Sequence, residues 1–461
     1  MTLVAVELID CGATPKRLPR RISLLPWRLL VTLCIWATIL AITGSFLFAS
    51  FLVSGLAAIL VIGSNLKHRL LGEPLVFSDF AVFGAMLKFP ALYLYAVPVW
   101  ARAVLVVVAV AFVAGFTASL SFAWQPHVAG LLLATLAALA LRFGTSHLMR
   151  RPDLINDVRR HGLFLTSVIY WRHWLTLPPP EPTRSVLPHA PQLIIVQCES
   201  FADPQELWPD APPLQGLARA RAMAAQHGRL LVTAFGAYTM RAEHGVLCGQ
   251  DEETLGFRRF DPFLTAARDA AGALPARLGH GGTFIHPYDL RFFNRHRLMR
   301  AFGFTRLISQ PDFHHDGVHY VTDAAVGCMI EAHLDDKFIY AVTMENHGPW
   351  PAGREGYMHH LRSGDALLSR LIDGLQAQNR PAILVFFGDH RPCIPGVVEP
   401  GGDLFTPYVV LRFGSARQPG RELDLTPAEL HETILAMAAQ TVKKLELVGK
   451  GASREGAPIK D

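Results

Sequence analysis

The chain has 461 residues, 51% of them apolar and 18% charged, with a formal net charge of +5 at pH 7. That length exceeds one ordinary core and leaves room for two or three units of roughly 100–200 residues. The low charge excludes a disordered or coiled-coil chain, and the lack of any Lys/Arg-rich block excludes nucleic acid as a partner. Six cysteines, at positions 11, 34, 198, 248, 328 and 393, form no Cys-x-x-Cys pair, so nothing supports a structural zinc site.

The apolar excess sits in the first 150 positions. From Leu29 to Leu66 there is no Lys, Arg, Asp or Glu, a run too long for one membrane span and suited to two, with a turn over Gly44–Phe48. A second charge-free run, Ala103 to Leu141, is interrupted by Ser121-Phe122-Ala123-Trp124-Gln125-Pro126-His127, a turn with an interfacial Trp. The expected spans are 28–46, 48–66, 100–121 and 127–145. Between the pairs, Glu73 to Pro98 carries Asp79, Lys88 and Pro90 in an apolar and aromatic context, and reads as an interfacial helix or a fifth crossing. Arg17, Arg20 and Arg21 place the N-terminus inside, and Arg142, Arg150 and Arg151 favour four crossings and a cytoplasmic second half.

Residues 150–176 read as an amphipathic helix on the membrane surface, followed by the semi-rigid linker Pro178-Pro179-Pro180-Glu181-Pro182. The expected division is a transmembrane domain of four to five helices over 1–148, interfacial helix and linker over 149–191, a catalytic domain over 192–440 and a flexible tail over 441–461. Beyond Gln192, short apolar runs alternate with amphipathic stretches such as 361–378. Strands are expected at Leu193–Gln197, Leu230–Ala234, Thr283–His286, Phe338–Thr343, Ala382–Phe387 and Tyr408–Leu411. The fold class is α/β, a largely parallel or mixed sheet flanked by helices and preceded by an α-helical transmembrane domain.

Ligands of open α/β sheets bind beyond the carboxyl ends of strands. Glu199 follows a buried strand, Thr239 lies in a loop between strand and helix, His347 ends the strand at 338–344, and Asp389-His390 follow an apolar strand turned by Gly388. Each alone has a bland reading: Glu and Thr as helix caps, His as a packed side chain. Together they supply O and N ligands for Mg²⁺, Mn²⁺ or Zn²⁺, with a hydroxyl that a cation makes nucleophilic.

These residues sit in the ordered motifs V-Q-C-E-S, G-A-Y-T-M-R-A-E-H-G-V-L-C-G, H-P-Y-D-L-R-F-F-N-R-H-R-L-M-R-A-F-G-F, T-M-E-N-H-G-P-W and F-G-D-H, spread over about 200 residues. In this the chain resembles the sulfatase-like branch of the alkaline phosphatase superfamily, and within it the lipoteichoic acid synthase group of membrane phosphoglycerol transferases. The N-L-K-H-R-L-L-G-E-P-L-V-F-S-D-F segment is similar to that group's intramembrane linker. The resemblance implies a metal held by Glu199, Thr239, Asp389 and His390, Thr239 as the nucleophile, and a head group held by His286, Phe293, Arg295 and His347. His347 or His286 would protonate the leaving oxygen. Phe293 stands where the group can have Trp, and Gln197 where lipoteichoic enzymes have His. Arg241 and Glu243 would orient the loop, touch the acceptor or form a surface ion pair.

The implied reaction moves phosphoglycerol from phosphatidylglycerol, through a glycerophospho-threonine, to an envelope glycan or polyglycerol-phosphate chain. Mn²⁺ is the foremost cofactor, with Mg²⁺ and Zn²⁺ as alternatives. A lipid donor sets the chain in a bacterial cytoplasmic membrane as a multi-pass protein with its catalytic domain on the extracytoplasmic face, which requires five crossings against the arginine count. The rivals are a phosphoethanolamine transferase, a phosphodiesterase or sulfatase-like hydrolase, and a non-catalytic sensor. Thr239-Met240-Arg241 lacks the C/S-x-P-x-R motif of formylglycine sulfatases, and all four expected metal ligands are present, against the sensor.

Overall fold

A computed structural model of the protein describes residues 1–15, 22–80, 107, 110, 112–177, 186–187, 190–260, 270–279, 281–314, 320–402, 404–414 and 420–452, the last eleven by backbone alone. The chain divides into two units, Met1–Leu177 with Gly256–Phe260, and Pro178–Leu255 with Asp261–Asp461.

Among the described residues the first unit has three helices long and apolar enough to cross a membrane: α2 (Leu25–Thr43), α3 (Phe46–Leu71) and α4 (Trp124–Gly144), preceded by α1 (Thr2–Asp10). Gly44, at φ 67°, ends α2 in the left-handed conformation, and the Ser45 hydroxyl accepts from Phe48 N–H at 3.3 Å to start α3. The turn therefore falls where expected. α3 runs five residues past the expected end at Leu66, because Lys67 finds a partner: its Nζ lies 2.7 Å from Asp79 Oδ2, which also accepts from Val76 N–H. The charge of Asp79 is thus matched within the apolar segment that carries it. Of the span expected at 100–121 the described part is helical over 112–119, and the Glu73–Pro98 segment lies outside the described residues from 81 onward. The amphipathic stretch at 150–176 is two helices, α5 (Leu154–His161) and α6 (Leu163–Thr176), broken at Gly162 (φ 84°). Gly256–Phe260, read from sequence as part of the catalytic half, instead packs on α6. Phe257 stacks on His173 with ring centroids 4.7 Å apart and meets Tyr170 edge-on at 4.9 Å, and both Phe257 and Phe260 are buried.

The second unit is built on one eight-stranded mixed sheet in the order β4-β3-β5-β1-β6-β7-β2-β8. Its strands are β1 (Gln192–Cys198), β2 (Gln226–Leu231), β3 (Thr283–Ile285), β4 (Arg306–Ile308), β5 (Phe338–Val342), β6 (Ala382–Gly388), β7 (Phe405–Phe413) and β8 (Arg421–Glu422). β4, β3, β5, β1 and β6 run parallel, and β7 is antiparallel to both β6 and β2. Strand alternation splits the core into two layers. Leu193, Ile195, Ile383, Val385 and Phe387 face α8 (Thr239–Cys248), α9 (Arg295–Ala301) and α12 (Pro427–Ala452). Ile194, Val196, Leu384 and Phe386 face α7 (Gln215–Met223), α10 (Asp323–Ala332) and α11 (Arg354–Gln378).

The short strands β4 and β8 lie outside the expected set, β7 begins three residues before Tyr408, and two further expectations shift. β2 begins four residues before Leu230, because polar Gln226-His227-Gly228-Arg229 pairs with Val410 through Pro407 as a half-exposed strand near the sheet edge. α12 continues to Ala452, into the segment expected to be a tail. The close approach at the end of β6 is the tightest local constraint: a Cβ on Gly388 would lie 1.9 Å from Phe201 O. Gly388→Ala is therefore expected to lower stability by about 1–3 kcal/mol or more, as overpacking does, and to displace Asp389; urea melts of the purified protein check it.

Candidate active site

The four neighbouring parallel strands β3, β5, β1 and β6 end side by side, and each end carries one of the residues singled out from sequence. His286 follows β3, His347 lies five residues beyond β5, Glu199 follows β1, and Asp389-His390 follow β6. Thr239 is brought to them as the first residue of α8, where its carbonyl accepts from Gln197 Nε2 at 3.3 Å. Gln197 is in turn held by the Tyr340 hydroxyl, which donates to Gln197 Oε1 at 2.7 Å. Here Gln197 therefore serves the backbone of Thr239.

Glu199, Asp389 and His390 are all buried, and one ligand atom from each lies within 4.8 Å of the others. His390 Nε2 is 3.2 Å from Glu199 Oε1 and 3.6 Å from Asp389 Oδ2. Asp389 Oδ1 accepts from the backbone N–H of Ser200 and of His390, each at 2.9 Å. Its Oδ2 is buried with no hydrogen bond of good geometry, and the half-buried Thr239 hydroxyl bears on the same carboxylate. The His390 Nδ1 position faces Arg391 O at 3.2 Å. A proton there fixes the tautomer and leaves the Nε2 lone pair for a cation. Two carboxylates, an imidazole nitrogen and a hydroxyl, with one carboxylate oxygen left open, fit a divalent metal.

The charges agree with that reading. Burial pushes Asp389 up to about 7, with Glu199 adding to the effect. Burial also opposes the charged forms of Glu199 and His390, but their mutual attraction outweighs it and holds Glu199 down to about 2. Asp389 and Glu199 raise His390 to about 9. In the ion-free protein His390 is thus protonated at neutral pH, and a cation must displace that proton. Apparent cation affinity is expected to rise with pH, by about tenfold per unit between pH 7 and 9, where His390 releases one proton, and more steeply below pH 7, where Asp389 releases a second. Isothermal titration with Mn²⁺ across pH 6–9, in two buffers of different ionisation heat, checks both slope and proton count.

Arg295 and Glu243 form a second buried pair. The Arg295 side chain is 2% exposed and that of Glu243 0%, with Nη2 2.8 Å from Oε2 and Nε 3.3 Å from both carboxylate oxygens. Arg295 Nη1 donates to His286 Nε2 at 3.1 Å, and His286 Nδ1 faces Val342 O at 3.3 Å. Burial and then Arg295 push the His286 pKa well down, so the ring is neutral and both its nitrogens are occupied within the protein. The Phe293 ring lies 5.4 Å from the Arg295 guanidinium. Arg241 is buried, its guanidinium 4.3 Å above the Tyr238 ring. Neither Arg241 nor Glu243 is in a surface ion pair, because α8 packs both into the core. His347 is exposed: its Nδ1 lies 2.7 Å from Gly348 O and 3.3 Å from the Tyr320 hydroxyl, and its charge bears on Glu199.

Strain is concentrated at the same places. Ser200, Tyr238, Phe293 and Asn294 have φ between 50° and 67°. They directly follow Glu199, precede Thr239 and precede Arg295. Such left-handed residues cost about 1–3 kcal/mol each and persist where the surroundings over-determine them. Sequence reasoning passed over Ser200, whose hydroxyl donates to Glu199 Oε1 at 3.0 Å, and Thr343, whose Oγ1 accepts from Glu199 N–H at 3.1 Å. Both are small hydroxyl residues next to strand ends, with no local signal to separate them from ordinary caps.

A capsular polysaccharide biosynthesis protein, RkpI, of Rhizobium meliloti (strain 1021) is 30% identical over 433 residues, covering 81% of this chain and 80% of its own. Among solved structures, the integral membrane lipooligosaccharide phosphoethanolamine transferase A (EptA) of Neisseria meningitidis aligns over 95% of both chains at 12% identity and TM-score 0.47. The phosphoglycerol transferase GacH of Streptococcus pyogenes, in complex with sn-glycerol-1-phosphate, aligns over 55% of this chain and 76% of its own at 17% identity and TM-score 0.43. The sulfatase family model matches residues 191–440. That stretch opens one residue before β1, closes within α12 and takes in every strand-end residue described above; the chain belongs to the sulfatase family.

Proposed function

We propose that the protein is a membrane-bound phosphoglycerol transferase that moves phosphoglycerol from phosphatidylglycerol, through Thr239, to an envelope glycan or polyglycerol-phosphate acceptor. The observation that carries this reading is the placement of a hydroxyl, at the first residue of α8, beside a buried cluster of two carboxylates and an imidazole. Glu199, Asp389, His390 and Thr239 would hold a divalent metal, Mn²⁺ foremost, which when bound lowers the pKa of the hydroxyl and neutralises phosphate charge.

Thr239 Oγ attacks phosphorus and the bond to the diacylglycerol oxygen breaks. His347, exposed and with Nε2 directed away from its Gly348 and Tyr320 contacts, gives the proton to that oxygen. His286 is less suited to this step because both its nitrogens are engaged. In the second half His347, now unprotonated, takes the proton of an acceptor hydroxyl as that oxygen attacks the same phosphorus, and Thr239 Oγ leaves. Arg295, Phe293, His286 and Arg241 shape the head-group end. Their chemistry supports glycerol over ethanolamine: Arg295 brings a guanidinium to this end, and Glu243, the carboxylate bonded to it, is already matched. An ammonium group would meet that cation without a counter-charge. The name of the capsular polysaccharide relative supports a glycan acceptor. Three long apolar helices support a place in the bacterial inner membrane, and a lipid donor supports five crossings and an extracytoplasmic catalytic domain.

The test is intact mass of the detergent-purified protein after incubation with Mn²⁺ and either phosphatidylglycerol or phosphatidylethanolamine. A glycerophosphate adduct from the first lipid alone is the expected result. An adduct from phosphatidylethanolamine alone would sink the head-group assignment and leave the nucleophile standing.

A further inference from the structure

Beside the segment that carries Phe293 and Arg295, the second unit has a cleft of about 920 Å³ lined by Arg291, His296, Arg297, Arg300, Ser309 and Gln310. That is the size of a small-molecule or oligosaccharide site. Its charge is one-sided. The lining carboxylate is Asp289, and it is already matched by Arg291, with Nη2 2.6 Å from Oδ2. Arg297 and Arg300 are exposed and take part in no ion pair among the described residues. They stand three residues apart on α9, so both point to one face. An exposed arginine is usually only a solvated charge, and Arg300 suits the last turn of its helix. Arg297 lies outside that turn, and the lining also includes Ser309, whose Oγ accepts from Asp312 N–H and keeps its own O–H to donate, and Gln310, whose amide donates and accepts hydrogen bonds as sugar hydroxyls require. The cleft is open and its lining is mixed, with Leu290, Leu307 and Pro311 beside the arginines, which suits a sugar chain that rests its apolar ring faces there while the guanidiniums take its acidic groups. It is also contiguous in sequence with the head-group end, since Arg297 is two residues beyond Arg295.

We infer that this cleft binds an anionic glycan and positions it as the acceptor. The inference rests on the transferase reading above. Guanidiniums at Arg297 and Arg300 pair with carboxylates or phosphates of the glycan, bidentately where the geometry allows.

The test measures binding apart from turnover. The full chain, in phosphatidylcholine nanodiscs, is titrated with octagalacturonate and with neutral maltooctaose by microscale thermophoresis. The expected result is binding of the acidic oligomer only, weakened about tenfold or more in the Arg297→Glu/Arg300→Glu variant and kept within about threefold in Arg297→Lys/Arg300→Lys. The threonine adduct formed from phosphatidylglycerol should be unchanged in both variants. Binding that ignores the charge reversal, equal binding of maltooctaose, or no binding of the acidic oligomer by the wild type would overturn the inference. So would loss of octagalacturonate binding when the discs contain phosphatidylglycerol, which would make the cleft a membrane-facing surface. A wild type that binds the glycan yet forms no adduct would sink the donor reading and leave the cleft standing.

Discussion

Thr239→Ala protein incubated with Mn²⁺ and phosphatidylglycerol is expected to show no change in intact mass and a transfer rate lower by about 10⁴-fold or more, the scale of losing a covalent nucleophile. Thr239→Ser should retain both adduct and measurable turnover, because the hydroxyl stays at the first residue of α8 beside Asp389. The pair of variants separates chemistry from folding. The Thr239 side chain is only half-buried and its carbonyl, held by Gln197, is untouched by either change. Thermal midpoints within a few degrees of wild type are therefore expected. An adduct that persists in Thr239→Ala would show that a different residue is the nucleophile.

Glu243→Leu is expected to cost about 3–5 kcal/mol, more than any other single change proposed, because it leaves the Arg295 charge buried and unmatched. The double variant Glu243→Leu/Arg295→Met should recover most of that loss, since removing both charges lifts the desolvation penalty on each. It should not recover transfer activity, because His286 loses the guanidinium that donates to its Nε2. Urea unfolding of wild type, Glu243→Leu, Arg295→Met and their double variant in a double-mutant cycle, beside the rate of adduct formation, reads stability and function apart. A single variant within 1 kcal/mol of wild type would mean that water reaches Arg295 and that the pair is not as dry as its burial indicates.

The sequence made the strand ends visible where an apolar run stops abruptly at a polar residue, as at Val196-Gln197-Cys198-Glu199 and Phe386-Phe387-Gly388-Asp389. It hid the first four residues of β2, because Gln226-His227-Gly228-Arg229 has the composition of a loop and is a strand only through its partners β7 and β8. The Glu243–Arg295 pair joins residues 52 apart, and no local pattern specifies such a partner. The same holds for Lys67 and Asp79, whose pairing explains both the length of α3 and an acid within an apolar segment. The motif resemblance named the strand-end residues; the backbone strain at Ser200, Tyr238, Phe293 and Asn294 needed coordinates.

The Gly256–Phe260 strap makes the Pro-rich linker less of a boundary than its composition promises. The chain passes between its two units at three places, after Leu177, after Leu255 and after Phe260. A protease that cuts the linker severs the first passage alone, and the downstream fragment still carries Phe257 and Phe260, the aromatic plug of the other unit. A catalytic fragment released by truncation would expose both rings to water, at about 1.5–3 kcal/mol each. The second unit is thus excised cleanly only with the strap replaced.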